Sequence, residues 1–212
     1  MFYDFSKRIL DIVGSFLLSL FFLPIGLVTA VAITLDSSGP VLADTPQRVG
    51  KEGKLFKLYK FRSMVVNAHE QLRNDPNLTK LYNEYKRNSY KLLKDPRVTT
   101  VGKFIRKHSL DEIPQLLNVI KGEMSLVGPR PYYPDELVEQ QRKFPHTKSM
   151  VKVVLSAKPG ITGHWQVSGR SEVNFDKRIK MDADYVKKRS LRMDISILLK
   201  SPWAMISGKG AV

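Results

Sequence analysis

Residues 12–35 read IVGSFLLSLFFLPIGLVTAVAITL, a run of 24 residues without one charged side chain. As an α-helix it would extend about 36 Å, enough to reach across the hydrocarbon of a bilayer. This run belongs in lipid. A secretory signal segment is the first alternative, but the stretch exceeds an ordinary h-region and no small-residue cleavage site precedes Asp36. Pro24 falls mid-run with Gly26 just behind it, and an interior proline removes a helix hydrogen bond, so a bend is expected there. Lys7 and Arg8 precede the run, and Arg48, Lys51, Lys54, Lys57, Lys60 and Arg62 follow it. Loops rich in Lys and Arg stay cytoplasmic, so both flanks claim the same side. A re-entrant hairpin broken near Pro24 satisfies both. On physical grounds alone it stands level with a kinked spanning helix, since kinked spans are common.

Residues 1–36 are therefore read as the membrane segment and 37–212 as one cytoplasmic globular domain. The 212-residue chain carries 35 Lys+Arg against 20 Asp+Glu, a formal net charge of +15, and no cysteine. Disulfide scaffolds, thiolate metal sites and cysteine nucleophiles are excluded. A hydrophobic share of 42% with 26% charged residues belongs to a folded chain. The excess positive charge points to anionic partners: nucleic acid, acidic lipid or phosphorylated substrates.

Ser37-Ser38-Gly39-Pro40 reads as a turn closing the lipid-embedded part. Val41 to Val49 and Leu55 to Phe61 are predicted as two short strands of a hairpin around Gly50-Lys51-Glu52-Gly53. Val65 to Leu93 is helical in pattern, very polar, and broken near Asn74-Asp75-Pro76; such a stretch is ordinarily a solvated face. Further helices are predicted over Val101 to Lys107, over Asp111 to Ile120 with Gly122 as the stop, and over Asp182 to Ile206. The last of these suits a membrane surface as well as it suits a core. The fold class is α+β, mostly helical, with a short β-hairpin and surface amphipathic helices.

Candidate chemistry concentrates in Arg106-Lys107-His108-Ser109-Leu110-Asp111-Glu112-Ile113-Pro114-Gln115. Ser109 and Glu112 have the spacing of a capping box, which would make both purely structural. Against that reading, adjacent carboxylates sit at a helix start beside Arg106 and Lys107, where phosphate is attracted and ionised carboxylates are favoured. Such a pair also suits a hard divalent cation. In Met124-Ser125-Leu126-Val127-Gly128-Pro129-Arg130-Pro131 two prolines fix the backbone around Arg130, aiming a guanidinium at an anion. Pro159-Gly160-Ile161-Thr162-Gly163 is a permissive loop beside Trp165 and Gln166. His69, His108, His146 and His164 form no ligand spacing.

Five runs in order, Lys7-Arg8-x-x-Asp11, Lys60 to Met64, Ser109 to Leu116, Gly122 to Pro131 and Pro159 to Arg170, resemble the bacterial sugar transferases, the monotopic polyprenyl-phosphate phosphoglycosyl transferases. The resemblance runs from about residue 5 to the C-terminus. It implies transfer of a sugar 1-phosphate from a UDP-sugar donor to a polyprenyl (undecaprenyl) phosphate acceptor, releasing UMP, as the first membrane step of a glycan pathway. It implies a re-entrant membrane helix in one leaflet of the bacterial inner membrane, a catalytic domain on the cytoplasmic face, and magnesium as cofactor. Asp111 takes the role of nucleophile, forming a covalent phosphosugar intermediate, with Glu112 as its partner in proton handling or metal placement. Arg106 and Arg130 supply fixed positive charge, and Lys60 and Arg62 match a basic pair assigned to substrate phosphates, exposed hairpin cations being the plain alternative. Asp182, Tyr185 and Asp194 match a C-terminal acidic and aromatic pattern of supporting residues. Whether the chain forms a homodimer stays open.

Ala43-Asp44-Thr45-Pro46-Gln47, His164 and Lys187-Lys188-Arg189 depart from the family pattern, and bear on lipid contacts and sugar choice. The long polar stretch from Val65 to Leu93 resembles the branch acting on hexose 1-phosphates, glucose or galactose. The competing class is a membrane-anchored basic protein that binds nucleic acid or anionic lipid without catalysis; no zinc finger, helix-turn-helix spacing or stacking motif supports it.

Overall fold

The computed structural model describes residues 2–88, 90, 92, 94–168 and 174–206; Gly169 and Arg170 of the fifth run lie outside them. Helix α1, Phe2–Asp36, is long and apolar enough to cross a membrane. Its polarity is inverted relative to a helix of a water-soluble protein. Lys7, Asp11 and Ser15, spaced one turn apart, are buried, while Phe16, Leu17, Leu20, Phe21, Leu27 and Val28 are exposed. An apolar outside and a polar inside is what a lipid solvent selects.

The inward stripe is held by a dense polar set. Lys7 Nζ donates to Asp11 Oδ1 at 2.9 Å and stands 3.5 Å from Asp194 Oδ2. Asp11 Oδ1 also accepts from the Leu126 amide and the Ser125 hydroxyl, each at 3.0 Å. Arg8 donates to the carbonyls of Val119 and Ile120 at 2.7 and 2.9 Å, satisfying the end of a neighbouring helix.

The helix does not break at Pro24; helical geometry continues through it. Proline costs the ladder one donor, and Leu, Phe and Val on both sides hold the helix where every other backbone group must bond within it. The Ser19 and Thr29 hydroxyls bond back to the carbonyls of Ser15 and Ile25, a pattern that curves helices. Both ends of α1 are tied to one body: the first turns as above, the last by Ile33 against Phe61 and Ile105 and by Asp36 accepting from the Val101 amide.

The hairpin is present but short. Strands β1 (Arg48–Val49) and β2 (Leu55–Phe56) pair antiparallel, and Leu42 and Phe61 add one isolated bridge. Asp75-Pro76 divides the polar stretch into α2 (Ala68–Asn74) and α3 (Thr79–Arg87), as expected. Then follow α4 (Thr100–Lys107), α5 (Gln115–Lys121), α6 (Pro134–Lys143), α7 (Lys148–Leu155), α8 (His164–Ser168), α9 (Phe175–Lys188) and α10 (Leu191–Ile206). The predicted C-terminal helix is thus two, because Arg189-Ser190 interrupts it, and the first begins seven residues earlier than predicted.

One pairing was not legible beforehand. β3 (Ser125–Val127) and β4 (Gly160–Thr162) pair in parallel, Ser125 opposite Gly160 and Val127 opposite Thr162. The two runs read as a turn and a loop are therefore neighbours. Glycine is required here: a Cβ on Gly160 would stand 2.1 Å from the Gly128 nitrogen. The main core gathers Leu116, Val119, Met124, Leu126, Tyr185, Val186 and Ile197, and a second gathers Tyr132, Leu137, Val154, Phe175 and Ile179.

Asp11→Ala is expected to destabilise the fold by about 3–5 kcal/mol, because it leaves buried Lys7 and the Leu126 amide without their acceptor, and Asp11→Asn by less. Thermal denaturation of the detergent-solubilised protein checks this; equal stability of Asp11→Ala and wild type would contradict it.

Candidate active site

Asp111 and Glu112 lie on a 3-10 turn, Leu110–Glu112, between α4 and α5. Ser109 turns the chain sharply after α4 with a left-handed φ of 55° and makes no side-chain cap bond. The Ser109 half of the expected capping box is therefore not realised. The turn is fixed instead from the hairpin side, where the Phe61 amide donates to the Asp111 carbonyl at 2.9 Å.

Lys60, next to Phe61, reaches both carboxylates: its Nζ stands 3.3 Å from Asp111 Oδ2 and 2.9 Å from Glu112 Oε1. Asp111 is 7% exposed. Burial is the strongest influence on its carboxyl and pushes the pKa up, with the Glu112 charge adding to it, while Lys60 and Arg106 oppose. For Lys60 burial pulls the other way, but the two carboxylates prevail and hold its pKa above the ordinary lysine value. The ammonium stays charged and screens an acidic pair that would otherwise repel itself.

These residues line a cavity of about 920 Å³, together with Arg62, Arg106 and Arg130. One wall is apolar: Leu10, Gly14, Leu18 and Phe22 of α1 with Leu126, Ile161 and Leu198. A site that carries a carboxylate pair, guanidiniums and a greasy wall on a lipid-facing helix can hold an amphiphile by both ends.

Arg130 lines the cavity from a turn that is held in place. Its amide donates to Asp182 Oδ2 at 3.2 Å, and its guanidinium lies 5.8 Å from the Trp165 ring centre. Asp182 also accepts from the Tyr132 hydroxyl at 3.0 Å, so its role is to set the turn that carries Arg130. Behind it Arg178, fully buried, donates to Glu136 at 2.9 Å. Arg48, Arg130 and Arg178 thus share this region with Glu136 and Asp182, and the Nε of each guanidinium has no partner among the described residues. Arg48 and Arg130 line the cavity, and such unmet donors favour an anion there.

The other expected residues have different work. Arg62 lines the cavity, yet Nε, Nη1 and Nη2 donate to the Pro40 carbonyl, the Ser37 hydroxyl and the Ser37 carbonyl at 2.6–2.8 Å. Its guanidinium thus seals the end of α1 as well as lining the cavity beside Lys60. Tyr185 and Asp194 do not line the cavity: Tyr185 donates to Asp194 Oδ1 at 2.6 Å, and Asp194 accepts from Tyr3 at 2.9 Å beside Lys7. They moor α1. Sequence reasoning missed Arg48, His69, Tyr85, Tyr90 and Tyr133, all of which line the cavity. His69, Tyr85 and Tyr90 were hidden in a stretch read as solvated, and Arg48 had been read only as one of the basic flanks of the apolar run. Among the described residues no group of three or more His, Asp or Glu side chains converges.

Burial raises the Asp182 pKa to about 7, against about 3.9 in an unfolded chain. The native state then holds more protons between those values, so this group's contribution to stability is full below about pH 4 and lost as pH rises towards 7. Asp182→Asn should flatten the pH dependence of the melting temperature across that window; an unchanged slope would contradict it.

A profile of the family described as bacterial sugar transferase matches residues 2–208. Undecaprenyl-phosphate galactose phosphotransferase of Salmonella typhimurium is 46% identical over 211 residues, 98% of this chain and 42% of the relative. UDP-galactose-lipid carrier transferase of Erwinia amylovora is 43% identical over 211 residues, again 98% of this chain and 42% of the relative. Exopolysaccharide production protein ExoY of Rhizobium meliloti is 38% identical over 206 residues, 97% of this chain and 88% of the relative. The chain therefore spans about two fifths of the first two relatives and most of the third. Its motifs and these likenesses agree, and the chain belongs to the bacterial sugar transferase family.

Proposed function

We propose that this chain is a polyprenyl-phosphate phosphoglycosyl transferase that moves a hexose 1-phosphate, of glucose or galactose, from a UDP-sugar to polyprenyl phosphate. The observation that carries the reading is a buried carboxylate, Asp111, bridged by Lys60 in a cavity with guanidiniums on one side and a membrane-helix wall on the other. A water-soluble donor and a lipid acceptor need both surfaces at once.

Asp111 attacks the β-phosphorus of the donor; the P–O bond to UMP breaks, UMP leaves with the electron pair, and an acyl phosphate to the sugar remains. The acceptor's phosphate oxygen then attacks the same phosphorus and the Asp111 carboxylate leaves, so the diphosphate link is rebuilt on the lipid. Lys60 favours the ionised nucleophile, and Arg106 and Arg130 offset charge spreading over the phosphoryl oxygens. Asp111 and Glu112 are side-by-side oxygen donors facing a cavity that can take a diphosphate, a set that fits magnesium, which keeps few protein ligands. When bound there, the ion would neutralise charge on the diphosphate and on departing UMP. The apolar wall would take the first isoprene units, so the lipid phosphate need not rise far into water.

The basic flanks and the tethering of both ends of α1 to one body support a re-entrant helix with the domain on the cytoplasmic face. The chain lacks cysteine, so single cysteines at Phe2 and at Lys54 report the topology: both should resist an impermeant thiol reagent in intact cells. Labelling at Phe2 alone would mean a spanning helix.

The kinetic test is donor exchange. Without lipid acceptor, the wild type with magnesium should return labelled UMP to a UDP-hexose, and Asp111→Asn should lose this by at least about 10³-fold. Exchange that requires the acceptor, or survives in Asp111→Asn, would contradict the two-step reading.

A further inference from the structure

Part of the cavity wall comes from the polar arm formed by α2 and α3, which the proposed chemistry leaves unused. His69 on α2, Tyr85 on α3 and the following Tyr90 meet Tyr133 and Arg48 there, and all five line the cavity. The rings form a continuous lining: Tyr85 and Tyr90 are 5.1 Å apart between centroids, Tyr90 and Tyr133 6.1 Å, and His69 and Tyr133 6.1 Å. Arg48 lies 3.2 Å over the Tyr133 ring. It is 7% exposed and its Nε has no partner among the described residues. Tyr90 adopts a left-handed φ of 62° and anchors its hydroxyl on Glu139 at 2.8 Å. A tyrosine held in that strained region marks a conformation maintained for a purpose.

We infer that this aromatic lobe seats the donor's sugar ring and selects among hexoses, with His69 and Arg48 reading its hydroxyls and Tyr85 packing against its face. The inference rests on the proposed transferase reading and adds a location to it. Two in-line displacements at one phosphorus bring the lipid phosphate in where UMP went out, opposite Asp111. The sugar stays bound through both steps, so it needs a seat distinct from the apolar wall and from the position UMP and lipid phosphate share. It hangs on the phosphorus through a single oxygen, so that seat is one ring's width from Asp111. The aromatic lobe answers to this requirement, because His69, Tyr85, Tyr90, Tyr133 and Arg48 line the same cavity as Asp111 and Lys60 without belonging to its apolar wall. Burial, reinforced by the Arg48, Arg97, Arg73 and Arg106 charges, lowers the His69 pKa to about 4. The imidazole is therefore neutral near pH 7, one nitrogen donating and the other accepting, as a sugar hydroxyl does.

The test compares full-length wild type, His69→Ala, His69→Asn and Tyr85→Leu in detergent, each first shown to keep the wild-type melting temperature within a few degrees. The measurements are kcat/KM for UDP-glucose, UDP-galactose, UDP-N-acetylglucosamine and UDP-N-acetylgalactosamine, and inhibition by UMP. His69→Ala should shrink the ratio between the best and second-best donor by about 10-fold, one hydroxyl contact's worth. Asn, which keeps a donor and an acceptor, should restore part of that ratio, Tyr85→Leu should reduce it, and UMP inhibition should hold within about 2-fold throughout. Equal losses for every donor together with weaker UMP inhibition would place the nucleoside there and overturn the inference, as would unchanged ratios in folded variants. A wild type that releases no UMP from any donor would instead overturn the transferase reading itself.

Discussion

The structure depends on turning the charged stripe of α1 inward. Lys7 and Asp11 could not face lipid without a large desolvation penalty, and inside they find Asp194, Ser125 and the Leu126 amide. That single choice of face fixes two things at once. It leaves Phe16, Leu20 and Phe21 outward for lipid, and it fastens the start of β3, whose far end runs into the turn carrying Arg130. At the other end of the same helix, Ser37 and Pro40 hold Arg62, and the neighbouring Phe61 amide holds the turn of Asp111. Asp111 and Arg130 are thus positioned from opposite ends of one long apolar helix.

Charge explains the remainder. A net charge of +15 spread evenly would serve only for general attraction to anions. Here cations instead converge on a cavity: Lys60 on the carboxylate pair, Arg48 and Arg130 each with an Nε unmet among the described residues. Partly exposed pairs, Arg73–Asp135 at 2.7 Å and Lys86–Glu139 at 2.6 Å, tie the polar arm to α6. Individually such surface pairs contribute little.

Much of this was legible in the sequence, for reasons that differ by element. The membrane run is uniform in composition, and Gly122 and Asp75-Pro76 are local stop and break signals, so α1, the end of α5 and the break in the arm could be read directly, whereas the helix start expected at Asp111 is a separate 3-10 turn and α5 begins at Gln115. The acidic pair and Arg130 stood out because adjacent carboxylates beside arginine, and arginine between prolines, are chemically unusual. The β3–β4 pairing was hidden because parallel strands three residues long leave no periodicity, and 35 residues separate Ser125 from Gly160. The roles of Arg62, Tyr185 and Asp194 were hidden for another reason: a motif shows that residues belong together, but only contacts separate those touching substrate from those holding the scaffold. The aromatic lobe escaped because tyrosines scattered through a polar helix do not announce a common face until the helix is folded against Tyr133.

The most direct measurement is intact-protein and peptide mass spectrometry of the wild type incubated with magnesium and a UDP-hexose, lipid acceptor withheld, then quenched in acid. The account predicts an adduct of one hexose phosphate on the peptide containing Asp111, discharged on adding polyprenyl phosphate. An enzyme that turns over donor and acceptor together yet never carries that adduct, or carries it on another residue, would contradict it.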